Sequence, residues 1–349
     1  MFPEPHDPQT GIALDRVSCA LDGHPILRHV SWSAPQGKTT VLFGPSGAGK
    51  TTCLRLIAGL ETPTEGVIRL GERIASSPTE WIPPHRRRIG FCFQDSALWP
   101  ALTVRRHLEI PLRDQGRPAP NREERIRELL QTFSLEESAS RYPAQLSGGE
   151  KKRLAFARAL AMRPDFLLLD EPLSSVEGPM REQLSRLLGL SMQLERTIVA
   201  VTHQMDEVFA AADRLVVLSE GRVLRTGALA EVFQDPRNRQ TAALLGFRNF
   251  FSVEVQADAL HTPFGVWRGN WNAQGKIIAA GLPEDFMIQK EENGTGIIES
   301  CRLAGRRFRV QVVWGAETLE ALSDVPLSLG ERVVLQLKHP PALLRDEGR

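Results

Sequence analysis

The run Gly44-Pro45-Ser46-Gly47-Ala48-Gly49-Lys50-Thr51 sets glycines, a lysine and a hydroxyl at the spacing G-x-x-x-x-G-K-[ST]. Glycines let a backbone wrap an anion with its N–H groups pointing inward. The helical stretch expected from Thr52 to Leu60 would add a favourable dipole at its N-terminus. Lys50 would then reach the β- and γ-phosphates of a nucleoside triphosphate, and the Thr51 hydroxyl would bind Mg²⁺. The bland alternative is a glycine-rich turn with a surface lysine, and the match at every fixed position argues against it. A second stretch, Leu146-Ser147-Gly148-Gly149-Glu150, is a Ser-Gly-Gly turn opening a helical run. Two phosphate grips are needed only if one holds a nucleotide that the other cannot reach.

Further chemistry lies between and after them. Phe166-Leu167-Leu168-Leu169 is an apolar strand that delivers Asp170 to its mouth, where the carboxylate can hold Mg²⁺, with Glu171 beside it to polarise an attacking water. An acidic pair at a strand end is otherwise mere capping. Gln94 follows Gly90-Phe91-Cys92-Phe93 and could bring its amide to the metal and the water. His203 ends the run Ile198-Val199-Ala200-Val201, and its imidazole could contact the γ-phosphate. A lone glutamine or histidine is usually structural; the order of the motifs gives these two their weight.

The elements that must position these groups are legible around them. Val41–Phe43, Phe166–Leu169 and Ile198–Val201 read as strands buried on both faces. In Arg122–Phe133, Ile126, Leu129, Leu130 and Phe133 fall on one helical face. Strands alternating with helices over residues 12–240 predict a parallel-sheet α/β domain whose ligands bind beyond the carboxyl ends of the strands. After about residue 245 the segments Ile297–Leu303, Phe308–Trp314 and Arg332–Lys338 are short and strand-like, and Ile277–Ile288 is interrupted by Gly-Leu-Pro. That texture predicts a small all-β domain, with Asp235–Arg239 near the boundary.

The bulk numbers narrow the class. At 349 residues, 42% hydrophobic and 24% charged, the chain is an ordinary two-domain globular protein. A net charge of +1 gives no electrostatic case for nucleic acid, and the dense basic run Arg86–Arg88 reads as solvated surface or local ion pairs. The four cysteines, Cys19, Cys53, Cys92 and Cys301, are scattered without metal-ligand spacing and fit reduced thiols in the cytosol, behaving as small buried hydrophobes. Met1–Pro5 does not open a signal peptide, and no apolar run reaches the roughly 20 residues that span a bilayer, so any membrane role comes through a partner.

The order phosphate loop, Gln94, Ser147-Gly148-Gly149, Asp170-Glu171, His203 resembles the ATPase subunits of ABC transporters, and the Leu-Ser-Gly-Gly signature is its specific element. Phe93–Pro100 with Leu102-Thr103-Val104 is similar to that family's Gln loop, and Ala200–Glu207 to its His switch. The region 247–349 more weakly resembles the TOBE-type β-barrel extension of importer ATPases, through Gly246–Asn249 and Gly281–Asp285. The resemblance implies an α/β P-loop NTPase over residues 1–240, an ABC ATPase core with a helical subdomain, followed over 247–349 by a small OB-like β-barrel for regulation or dimerisation. It implies a head-to-tail homodimer in which ATP and Mg²⁺ on Gly44–Thr52 of one subunit are capped by Ser147, Gly148 and Gly149 of the other. Thr51, Asp170 and Gln94 would hold the metal, and Glu171, His203 and Gln94 would be catalytic.

By the same resemblance, the partners are two integral-membrane permease subunits at the cytoplasmic face of the inner membrane, indirectly an extracytoplasmic solute-binding protein, and no nucleic acid. Ala97–Pro100 is the candidate coupling patch. Three positions depart from the family's pattern: Leu21 where an aromatic usually meets the adenine, Ser174-Ser175-Val176-Glu177 where the D-loop ends in aspartate, and Glu150 where glutamine is commoner. An exporter ATPase, a soluble ABC protein without a transporter and a non-hydrolysing regulatory subunit stay as alternatives. The all-β tail, the single core without sustained heptads and the intact Lys50, Asp170, Glu171 and His203 argue against them in turn.

Overall fold

Strands buried on both faces form the centre of the first of two compact units, Met1–Leu229 and Ala230–Arg349. The computed structural model describes residues 10–113, 119–172, 196–271 and 273–345. In the first unit the strands are β1 (Thr10–Leu21), β2 (His24–Pro35), β3 (Thr39–Phe43), β4 (Glu65–Leu70), β5 (Arg73–Ser76), β6 (Ile89–Cys92), β7 (Phe166–Asp170), β8 (Thr197–Thr202), β9 (Arg214–Ser219) and β10 (Arg222–Ala228). Every residue of β3 and β8 is buried, as the continuous apolar runs require. The six-stranded sheet runs β10-β9-β3-β8-β7-β6, parallel from β9 to β6 with β10 antiparallel at the edge. An antiparallel four-stranded sheet, β2-β1-β4-β5, shares its core through Ile12, Trp32, Leu42, Leu54 and Val216.

The helices are α1 (Lys50–Ala58), α2 (Val104–Arg113), α3 (Ala119–Thr132), α4 (Gly148–Leu160) and α5 (Met205–Ala211). The apolar stripe of α3 is buried as its periodicity predicts: Ile126, Leu129, Leu130 and the following Phe133 are each at most 5% exposed. Cys19, Cys53 and Cys92 are buried, and Cys301 is half-buried.

The basic run at 86–88 departs from expectation at its centre. Arg86 and Arg88 are exposed, and Arg88 pairs with Asp165 at 3.0 Å. Arg87, however, is 3% exposed and threads beneath α1. Its guanidinium donates to the carbonyls of Ile82, Leu56, Ile57 and Ala75 and to Ser76 Oγ, at 2.6–3.0 Å. Burial pulls its pKa down to about 10, which leaves it charged at neutral pH.

The second unit begins with α6 (Leu229–Gln234), which spans the division, and α7 (Arg239–Leu244). The strands β11 (Asn249–Gln256), β12 (Ala259–Thr262), β13 (Gly265–Arg268), β14 (Gly275–Gly281), β15 (Phe286–Lys290), β16 (Gly296–Ala304), β17 (Arg307–Trp314), β18 (Glu317–Ser323), β19 (Arg332–Leu337) and β20 (Ala342–Leu343) follow. They form two antiparallel five-stranded sheets, β13-β12-β11-β14-β20 and β15-β19-β16-β17-β18, around one core. Phe251, Phe264 and Phe286 meet edge to face in that core, with centroids 5.1–6.0 Å apart. Both motifs singled out here have structural duties. Asn249, fully buried, exchanges two hydrogen bonds with the Glu320 main chain, and Asp285 accepts the Leu282 N–H at 2.7 Å.

Candidate functional site

Four neighbouring parallel strands, β3, β8, β7 and β6, end at the same edge of the sheet, and each delivers one motif. β3 runs into the loop Gly44–Gly49, β8 into His203, β7 into Asp170 and Glu171, and β6 towards Gln94. Adjacent strands lie about 4.8 Å apart. With β7 between β8 and β6, the sheet order itself sets Gln94 and His203 on opposite sides of Glu171.

The loop is built for close approach. A Cβ at Gly44 would lie 1.9 Å from the Leu218 carbonyl oxygen. Gly49 has φ 97°, and a Cβ there would meet Leu27 at 2.5 Å. The first turn of α1 carries no acidic residue, so its dipole is left for an anion. Pro45, Ser46 and Gly47 are exposed, while Ala48, Lys50 and Thr52 are buried. Lys50 Nζ donates to the carbonyls of Gly44 and Pro45, both at 2.8 Å. Burial lowers its pKa, and the carboxylates of Glu171 and Asp170 oppose that shift.

Thr51 Oγ1 donates to Asp170 Oδ1 at 3.0 Å. Asp170 is 3% exposed, and burial raises its pKa against the Thr51 hydrogen bond. A buried carboxylate beside a hydroxyl is a hard-oxygen pair that a small divalent cation would relieve. Among the described residues no three His, Cys, Asp or Glu side chains form a cage.

Glu171 joins the remaining groups. Gln94 Nε2 donates to its Oε2 at 3.0 Å, and His203 Nδ1 lies 3.0 Å from its Oε1. Its backbone is left-handed, φ 45°, and its N–H donates to the Val201 carbonyl at 3.0 Å. Non-glycine residues hold that conformation where the surroundings over-determine it, often at functional sites.

The exposed Ser147 caps α4. Its Oγ accepts from the Glu150 N–H at 3.2 Å and donates to Glu150 Oε2 at 2.8 Å. Ser138 donates to the other Glu150 oxygen at 2.6 Å, and these hydrogen bonds hold the Glu150 pKa down to about 2. Gly148 is open, with no neighbour close to where a Cβ would stand. Leu21 packs against the core of the unit, and Ser174–Glu177 lie outside the described residues.

A cleft of about 380 Å³ lies apart from the loop, lined by Phe91, Phe93, Ala97, Trp99, Arg158 and Met162. The Arg158 guanidinium sits 5.0 Å from the Trp99 ring centroid. Trp99 N–H donates to His107 Nε2 at 2.9 Å, and His107 Nδ1 lies 2.8 Å from the Thr103 carbonyl.

Sequence reading missed two cations of α4. Lys152 donates to the Gln94 carbonyl at 2.7 Å, and Arg158 reaches the carbonyls of Ser96 and Ala97 at 3.0 and 2.5 Å. The available signal was a lysine on the same helical face as Phe156 and Ala159, both buried.

Among the described residues no helix is long and apolar enough to cross a membrane. Residues 27–174 match the family described as ABC transporter. The chain is 41% identical to an Fe(3+) ions import ATP-binding protein of Pseudomonas fluorescens, over 92% of this chain and 94% of that one. It is 38% identical to a spermidine/putrescine import ATP-binding protein of Oleidesulfovibrio alaskensis, over 85% and 83%. A sulfate/thiosulfate import ATP-binding protein of Chromobacterium violaceum is 43% identical over 65% of this chain and 61% of that one. Among solved structures, a dimeric ATP-binding cassette in a post-hydrolysis state, bound to ADP and phosphate, is 31% identical with a TM-score of 0.57. It covers 62% of this chain and 98% of its own.

Proposed function

This chain belongs to the ABC transporter family, and we propose that it is the ATP-hydrolysing subunit of an importer that drives solute uptake through membrane permease subunits. The observation that carries this reading is Glu171 held between Gln94 and His203, on strands that also deliver Asp170 and the Lys50 loop. The loop N–H groups of Gly44–Thr52 and the Lys50 ammonium bind the phosphates of ATP. Thr51, Asp170 and Gln94 would hold Mg²⁺, which supplies neutralising charge to the phosphate oxygens. Glu171 orients the attacking water and accepts its proton. His203 orients the Glu171 carboxylate through Nδ1 and contacts the γ-phosphate. Positioning and electrostatics do most of the work in phosphoryl transfer.

The exposed Ser147 and Gly148, with the half-buried Gly149, cap at the α4 N-terminus the nucleotide of a second copy, so two subunits pair head to tail. The cleft beside Trp99, which includes Ala97 of the predicted patch, receives a segment of the permease. The subunit works at the cytoplasmic face of the membrane, and an extracytoplasmic binding protein delivers the solute. The relatives point to an inorganic ion, a polyamine or a similar small solute. Glu171→Gln tests the assignment: the variant should bind ATP and dimerise while turnover falls about 10²–10⁴-fold. Hydrolysis at the wild-type rate would refute it.

A further inference from the structure

The turn that carries Gln94 is strained. Ser96 and Ala97 have φ 66° and 41°, a region that non-glycine residues keep where neighbours impose it. β6 ends at Cys92, so the sheet ladder no longer holds the chain there. The turn is held by its own bonds, Ser96 N–H to the Phe93 carbonyl at 3.0 Å and Ala97 N–H to Asp95 Oδ1 at 3.1 Å, and by one helix. Lys152 and Arg158 of α4 hydrogen-bond three carbonyls of the turn, those of Gln94, Ser96 and Ala97. Lys152 is 9% exposed and takes no part in the chemistry derived above. Its ammonium donates to the Gln94 carbonyl at 2.7 Å, and the Gln94 amide donates onward to Glu171 at 3.0 Å.

We propose that Lys152 is a positioning residue for ATP hydrolysis: it fixes the main chain of Gln94, and through it the Gln94–Glu171–His203 line, to the helix that Ser147 caps. Lys152 stands five residues after Ser147, roughly 7–8 Å along the axis at 1.5 Å per residue. A shift of α4 when Ser147 grips a partner's nucleotide therefore moves the carbonyl that orients Gln94. Two hydrogen bonds, joined through α4 and the covalent frame of Gln94, link one subunit's cap to its own catalytic carboxylate. This inference rests on the assignment of Glu171 proposed above.

The test uses the full-length chain, ATP with Mg²⁺, and two readouts, steady-state hydrolysis and ATP binding. Lys152→Met keeps the stem and removes the donor, while Lys152→Gln keeps a donor without the charge. K152M should lower kcat about tenfold or more with ATP affinity within about twofold, and K152Q should regain most of the loss. Added to Gln94→Ala, K152M should cost less than about a further twofold, because Lys152 acts through the Gln94 side chain that the first change removes. The proposal is overturned by a K152M kcat within about twofold of wild type. It is also overturned by parallel losses of kcat and ATP affinity that K152Q does not recover, or by losses that multiply in the double variant. Glu171→Gln measured alongside separates the two claims. A turnover-competent E171Q defeats the catalytic assignment, whereas an inactive E171Q with an unaffected K152M defeats only the role of Lys152.

Discussion

Arg87→Met should strip the α1 C-terminus of its anchor, and the structure sets the size of the effect. Five hydrogen bonds from the guanidinium disappear. Not all of their acceptors are left bare. The Leu56 carbonyl keeps the Gly59 N–H at 3.1 Å, and the Ala75 carbonyl keeps the Ile82 N–H at 2.9 Å. The carbonyls of Ile57 and Ile82 and the hydroxyl of the buried Ser76 carry the loss, at about 1–3 kcal/mol for a buried acceptor without a donor. Methionine fills most of the volume, and removing a desolvated charge returns part of the cost. The net is about 3 kcal/mol. Urea unfolding of the full-length chain, followed by helical circular dichroism, reads it. With a slope of about 1–3 kcal/mol per M, the midpoint should fall by roughly 1 M or more. Arg86→Met and Arg88→Met are the controls: both residues are exposed, so each should stay within about 0.5 kcal/mol of wild type. If all three variants unfold together with wild type, the anchoring argument is wrong.

Glu150→Gln should cost about 1 kcal/mol at neutral pH by weakening the Ser147 cap. The carboxylate's contribution is complete above its ordinary 4.5 and is lost as pH falls from there through about 2. The stability gap between wild type and variant should therefore close across that window, and a gap independent of pH would count against the cap. Gly90→Ala would place a Cβ 2.2 Å from the Ala159 carbonyl oxygen, main chain of the last turn of α4. It should lower the urea midpoint by the equivalent of about 1–3 kcal/mol, and an unchanged midpoint rejects the close packing. Cys53 and Cys92 are fully buried thiols pushed up to about 12, whereas Cys301 is half-buried. Maleimide under native conditions should label Cys301 first, and comparable labelling of Cys53 or Cys92 would show that the core opens.

Much of the site was readable before folding because its determinants are local. The phosphate loop depends on glycines within eight residues of one another, and the strands before it and before Asp170 are unbroken apolar runs. The Ser147 cap is likewise a contact across three residues. The arrangement of Gln94 about Glu171 was not readable in this way, since the two are 77 residues apart and meet because β6 and β7 are neighbours in the sheet. Their association rested on resemblance until the strand order was known.

The three arginines at 86–88 separate the two kinds of information. Composition makes them alike, and a basic run is most simply solvated. Tertiary structure gives Arg88 an aspartate at the surface and gives Arg87 a pocket of carbonyls beneath the phosphate-loop helix. Lys152 repeats the lesson, as one lysine of the run Glu150–Arg153 whose acceptor lies 58 residues away. Periodicity and glycine placement are properties of a short stretch of chain, so the amino-acid order alone determined the buried strands β3, β7 and β8, the apolar stripe of α3 and the glycine-rich loop. Which polar group meets which distant partner depends on strand order and helix packing, and that only the folded chain decided.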